Sequence, residues 1–182
     1  MQHADALYLF NEGRNNQAYR LLGAHADVSG TTFRVWAPNA GRVSVVGDFN
    51  GWHGDVHPLH PLGESGVWEA TVAEAHPGNL YRFEVTNRHT GDKLIQSDPY
   101  GRGFELRPGS AAYIVPPSTY AWGDAGWLQQ RAGWDWQQAP VNIYEVHPGS
   151  WMRHPDGKPY LWGELAERLI HYALAQGYTH LE

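Results

Sequence analysis

The sequence contains no cysteine among its 182 residues. That excludes disulfides, thiolate nucleophiles and cysteine-ligated metals, and it suits a reducing compartment, so a cytoplasmic location is expected. Cationic side chains are also scarce: 13 Lys and Arg stand against 19 Asp and Glu, a formal net charge of −6. A protein that grips phosphate backbones needs a basic face, so nucleic acid is not an expected partner. No apolar run is long enough to cross a bilayer, and no basic-then-apolar leader opens the chain, so no membrane partner is expected. What the chain does have is rings and turn formers: 9 Trp and 10 Tyr with 21 Gly and 12 Pro. Many aromatics among many turn residues suit a β-rich domain with ring-lined surfaces. Sugars present apolar C–H patches beside hydroxyls, and rings with polar neighbours complement such surfaces.

The stretch Phe33 to Trp52, FRVWAPNAGRVSVVGDFNGW, organises the rest. Phe33 and Val35 alternate with Arg34 and Trp36, the period of a strand with two unlike faces. Pro38-Asn39-Ala40-Gly41 stops that run with turn formers, and Pro38, with no N–H to donate, belongs at a strand end. A second alternating run follows, with Val43 and Val45 on one face and Ser44 and Val46 on the other. It closes at Gly47-Asp48-Phe49-Asn50-Gly51-Trp52. Asn50-Gly51 tolerates positive φ and favours a tight corner, which sets Trp52 at a loop tip. The residues leave two readings of Trp52 open: a ring in the core or closing an end of the sheet, or a flat ring offered to a ligand.

Further strands are expected over Val67–Val72, Leu80–Val85, Lys93–Gln96 and Ala111–Val115. In the first, Trp68, Ala70 and Val72 share a face; in the second, Tyr81, Phe83 and Val85 point inward while Arg82 and Glu84 point outward. Short strands at intervals of roughly ten residues indicate a β-sandwich of the immunoglobulin-like kind. Trp68, Tyr81 and Phe83 are expected in its core. A short helix is expected over residues 3–10. Between Trp52 and the next strand lie His53, His57 and His60, at spacings of four and three. Such spacings share a face only on a helix, and Pro58 and Pro61 break a helix, so the stretch reads as a solvated loop. Neither a metal site nor a cofactor is expected.

WAPNA, a strand and then GDFNGW resembles the opening of the carbohydrate-binding modules of family forty-eight, which precede the catalytic barrel in glycogen branching enzymes, debranching enzymes and their relatives. The lead-in Leu22-Gly23-Ala24-His25 is similar to that of branching enzymes. Such modules carry a basic residue in a Y-[KR]-F run, matched here by Tyr81-Arg82-Phe83, and a binding tryptophan in the first loop, which falls on Trp52. The resemblance therefore implies α-glucan as partner and Trp52 and Arg82 as its carbohydrate-binding residues. Some relatives add a second tryptophan after the strand bearing the basic residue. Here that region is Asp92-Lys93-Leu94-Ile95, without an aromatic.

Pro116 to Pro140 holds Trp122, Trp127, Trp134 and Trp136 without a steady period and reads as a linker. Val141–His147 is an expected strand, Pro148-Gly149-Ser150-Trp151 a turn, and Gly163–Gln176 an amphipathic helix with Leu165, Leu169, Tyr172 and Ala173 on one stripe. A strand is expected to begin at Tyr178. Strand, helix, strand is the step of a parallel sheet. IYEVHPGSW followed by GYTHLE resembles the first βα step of the (β/α)8 barrel in the α-amylase superfamily, and the order of motifs is nearest to that of 1,4-α-glucan branching enzymes. The expected organisation is thus a lead-in over 1–25, a sandwich over 26–117, a Trp-rich linker over 118–140 and an incomplete barrel over 141–182, a mainly β chain.

Glu145 and His147 stand two apart on one strand, where a carboxylate and an imidazole can form an acid–base pair or fill a barrel layer. The family reaction uses two carboxylates about 5–5.5 Å apart, nucleophile and acid/base. The resemblance puts both on later barrel strands, so no catalytic residue is expected among these 182, and the chain alone is expected to be inactive. A standalone glucan-binding module, or the front of a debranching or trehalose-forming hydrolase, remains the alternative.

Overall fold

The structure, a computed structural model, describes residues 3–182, which divide into two compact units meeting at Thr119 and Tyr120. The first opens with helix α1 (His3–Asn11) and continues with strands β1 (Gly23–Asp27), β2 (Gly30–Trp36), β3 (Ala40–Gly47), β4 (His60–Pro61), β5 (Val67–Val72), β6 (Leu80–Asn87), β7 (Lys93–Gln96) and β8 (Ala112–Tyr113). One sheet has the order β1-β2-β5-β4; the other has β3-β6-β7, with β8 also on β6. All pairings in the unit are antiparallel. The alternation seen in the sequence decides what lies between the sheets. Phe33, Val35 and Val72 from one sheet meet Val43, Val45, Tyr81 and Phe83 from the other, with Trp68 and Ala70 packed against them. Phe33 sits at the centre, its ring 5.0 Å from Tyr81 and 6.5 Å from Phe83, both edge-on. The sandwich and its expected core are therefore as read from the pattern.

The outer face of the first sheet is covered by α1. Ala6, Leu7 and Phe10, one turn of helix, pack on Leu21, Leu22 and Val67. Beneath them Arg34, 6% exposed, stands opposite Glu69 across the strands and forms a charge-assisted hydrogen bond with it. A buried guanidinium is tolerable only with such a partner, so the pair fixes the register of β2 on β5.

The stretch expected to be a solvated loop is more ordered than that. Val45 donates its N–H to His57 O at 3.0 Å and Leu59 donates to Val43 O at 2.8 Å, so residues 57–59 lie along β3 as an extra short strand. His60 and Pro61 then pair with β5 in the other sheet. The segment passes from one sheet to the other, and Leu59 is buried between them. The prolines do not prevent this because Pro58 needs no N–H: its neighbours make the ladder bonds.

The second unit holds α2 (Ala125–Ala132), β9 (Ile143–Tyr144), α3 (Pro148–Trp151), α4 (Trp162–Ala175) and β10 (His180–Leu181). β10 lies parallel to β9, with α4 as the crossover. Leu165, Leu169 and Ala173 form the buried stripe of α4. Both strands are only two residues long, shorter than the pattern suggested, and Pro148–Trp151 is a single helical turn. The Trp-rich stretch is not merely a linker: it contains α2, on which the Arg131 guanidinium lies 4.6 Å from the Trp127 ring. Trp134 stacks on His180 at 5.5 Å. These rings line a hollow of about 630 Å³.

Candidate functional site

Trp52 stands where β3 ends. The strand stops at Gly47, whose backbone passes so close to the next elements that an added Cβ would lie 2.3 Å from Leu80 O and 2.7 Å from the Phe49 ring. Asp48–Asn50 then form one turn of 3-10 helix. Asn50 locks it. Its Oδ1 accepts from Gly47 N at 2.9 Å, and its Nδ2 donates to Val45 O at 3.0 Å and lies 3.0 Å from His57 Nδ1. Asp48 Oδ2 accepts from Leu80 N at 2.8 Å, binding the turn to the start of β6.

Gly51 and Trp52 both have positive φ, +61° and +66°. For Gly51 that costs little; for tryptophan the left-handed region costs about 1–3 kcal/mol and persists only where the surroundings over-determine it. The surroundings do: Trp52 N donates to Gly47 O at 3.0 Å, closing the corner. The residue is 39% exposed. Trp52 thus lies outside the core, on a backbone that the corner holds in place, and is partly open to solvent.

Arg82 is on the neighbouring strand. The register pairs Gly47 with Tyr81 and Val46 with Arg82, so the carbonyl that anchors Trp52 is one residue from Arg82's cross-strand partner. The fold thus anchors the two residues at one end of one sheet. Tyr81 and Phe83 turn inward, and Arg82 lies on the outer face, 28% exposed at its side chain. Its Nη2 is 3.5 Å from Glu105 Oε1. Glu105 was not singled out by the sequence, and nothing in its local pattern marks it. It accepts from Ser110 N at 2.7 Å and Ala111 N at 2.9 Å, and these backbone bonds, with Arg82, hold its carboxyl below the ordinary range. Next along the same face, Glu84 meets Lys93 at 3.3 Å. Cations and carboxylates therefore alternate along this outer face of the sheet whose β3 ends at the corner, and groups of both kinds suit a hydroxyl-rich ligand. The position where some relatives carry a second ring bears Leu94 and Ile95, both more than half exposed.

Asn50 and His57 are the residues that sequence reasoning missed as supports. His57 also packs on Phe49 at 5.7 Å and faces Glu74 at 3.7 Å, so it belongs to the corner. Among the described residues no cluster of three His, Cys, Asp or Glu has the geometry to hold a metal ion. In the second unit His147 Nδ1 lies 2.8 Å from Ser150 Oγ, and Glu145 forms no hydrogen bond or ion pair with its side chain among the described residues. The structure does not assemble an acid–base pair there.

Residues 21–101 match the family model described as carbohydrate-binding module 48 (isoamylase N-terminal domain). The whole chain is 92% identical to 29% of the length of the 1,4-alpha-glucan branching enzyme GlgB of Dechloromonas aromatica. It is 54% identical over 180 residues to the GlgB of Nitrosomonas eutropha, covering 97% of this chain and 25% of that one. The chain therefore spans about a quarter of the length of the curated relatives it matches. Among solved structures, a putative alpha amylase from Salmonella typhimurium matches 88% of this chain and 24% of its own, at TM-score 0.60 and 25% identity. A GBS pullulanase SAP solved with maltotetraose matches the fold at TM-score 0.63 and 24% identity, over 88% of this chain and 23% of its own. No helix of the described residues is long and apolar enough to cross a membrane.

Proposed function

We propose, from a chain whose residues 21–101 match the model of the carbohydrate-binding module 48 family, that it is the front part of a cytoplasmic 1,4-α-glucan branching enzyme and offers α-glucan a docking surface through Trp52 and Arg82. The observation that carries the binding reading is the corner at Trp52. A tryptophan held in left-handed backbone and left 39% exposed keeps an indole partly at the surface at a backbone cost of about 1–3 kcal/mol. It makes sense if the ring stacks on a sugar face while Arg82, Glu84 and Lys93 meet hydroxyls. Such an open site is expected to be weak, roughly micromolar to millimolar. The high identity to branching enzymes, against 24–25% to the amylase and pullulanase structures, favours transfer over debranching.

In the proposed reaction an aspartate attacks the anomeric carbon of an α-1,4 chain, and a glutamate protonates the leaving glucan and then deprotonates an acceptor 6-hydroxyl. Both carboxylates are assigned to barrel strands other than β9 and β10. The module's part is to hold polymer near that barrel and so raise the local concentration of chain ends.

Native electrophoresis of the purified chain in gels containing glycogen tests the binding half. Trp52→Ala is expected to weaken retention by about tenfold, near 1.4 kcal/mol, and Arg82→Ala by somewhat less. Unchanged retention of Trp52→Ala would remove the ring from the site. Incubation with amylose tests the other half: no α-1,6 linkages are expected from these 182 residues, and their appearance would overturn the assignment of the chemistry elsewhere.

A further inference from the structure

Trp36, at the end of β2, is on the other sheet and is 54% exposed. It stands in a hollow of about 780 Å³ whose walls include Phe10, Pro38, Glu64, Trp68 and Arg88. The ring is positioned: Phe10 meets it edge-on at 6.2 Å and 75°. The hairpin that bounds the hollow is tied by Ala37 N donating to Gly66 O at 2.8 Å. Gly66 has φ +76°, and a Cβ there would stand 3.0 Å from Trp36 Nε1 and 2.9 Å from Pro38 Cβ. A glycine is thus what lets this turn lie close against the indole N–H edge of Trp36 and Pro38. Trp68 donates its own indole N–H to Ala37 O at 3.0 Å, so it forms wall and not donor.

The rim is polar, and its groups are held apart. Arg88 Nη2 donates to Pro38 O at 3.3 Å and Ala40 O at 3.4 Å, which fixes its guanidinium in the wall of the hollow. Among the described residues the Glu64 carboxylate forms no ion pair or hydrogen bond, and it does not pair with Arg88. An accessible ring face, a fixed cation and an uncommitted carboxylate around one hollow match a ligand with C–H faces ringed by hydroxyls.

We infer that this hollow is a second α-glucan surface, on the sheet opposite Trp52. The inference rests on the α-glucan reading above. Two weak sites on one rigid sandwich convert the second binding event on a long polymer into an intramolecular one. Polymer is then retained better than either site alone would allow, whereas a short oligosaccharide gains nothing from the pair.

The test follows the indole N–H signals of the ¹⁵N-tryptophan-labelled chain by NMR during titration with maltoheptaose, alongside retention in glycogen gels. Trp36 and Trp52 signals are both expected to move, with separate midpoints. Trp36→Ala, and independently Glu64→Ala with Arg88→Ala, should lower glycogen retention by about tenfold while the Trp52 signal still moves. The double variant changes exposed groups only, and dispersion of the remaining indole signals reports that the sandwich is intact. A Trp36 signal that stays still while Trp52 moves overturns the second site and leaves the first. Trp36 moving with Trp52 still supports the second site and removes the first. Neither moving overturns both.

Discussion

The two units of this protein use similar side chains to opposite ends. In the sandwich, thirteen buried residues close into one cluster around Phe33. In the unit from Tyr120 onward, only Leu165, Leu169 and Ala173 are buried among the described residues, while Trp122 is 76% and Trp162 78% exposed. The difference lies in architecture more than in composition. Two antiparallel sheets bury their inner faces against each other and need nothing further. A parallel pair of two-residue strands with one crossover helix covers a single stripe, and parallel strands are normally covered on both faces. The comparison teaches that the sandwich is a self-sufficient fold and the βα step a component of one.

The largest expected effect is in amide exchange. Amides of β2, β3 and β6 should exchange slower than those of α4, β9 and β10 by about a hundredfold or more, measured by hydrogen–deuterium exchange on the isolated chain. Equal rates would break the comparison. Substitution sharpens it next. Phe33→Ala should cost about 3–5 kcal/mol in urea unfolding, the loss of a central ring. Leu169→Ala should cost less, about 2 kcal/mol, since only three residues of its unit are buried among the described residues. Similar costs at the two positions would show that the second unit has a core of its own.

The smallest effect concerns pH. His25 on β1 is half-buried, with Nε2 2.9 Å from Leu22 O. Burial pushes its pKa below the ordinary 6.5, against the backbone bond; Arg102 and Arg34 lower it further, and Asp98 opposes them. The neutral form is therefore the one that folding favours. Its contribution is complete above the ordinary histidine value and is lost as pH falls through the depressed one. Thermal melts of His25→Asn from pH 7 to pH 5 should show a shallower fall in the sandwich transition than the parent chain, and an identical fall would remove His25 from that dependence.

The strands were legible wherever one face was wet. Tyr81 and Phe83 alternate with Arg82 and Glu84 and were placed by that alone. β3 shows the limit of the rule. Ser44 and Val46, expected on the face opposite Val43 and Val45, are buried as well. No period announces the short strand at residues 57–59 either, since its ladder bonds fall on either side of Pro58. Helix α2 was illegible for another reason. It has eight residues and none of them buried, so no apolar stripe exists to be read. At the candidate site the motif named Trp52 and Arg82, while their anchoring at one end of one sheet comes from the register of β3 on β6. It did not foretell the left-handed backbone of Trp52, because that conformation is imposed by Asn50, Gly47 and Leu80 from outside the residue.

That corner sets a condition on reuse. The loop from Asp48 to Trp52 draws its bonds from Val45, His57 and Leu80, which lie on three separate stretches of chain. Grafting the five-residue loop onto another hairpin would leave its tryptophan in the ordinary right-handed basin, turned elsewhere. A transplant that works must carry the start of β6 and the strand-like run through Leu59 along with it, so the smallest portable unit is a three-stranded patch.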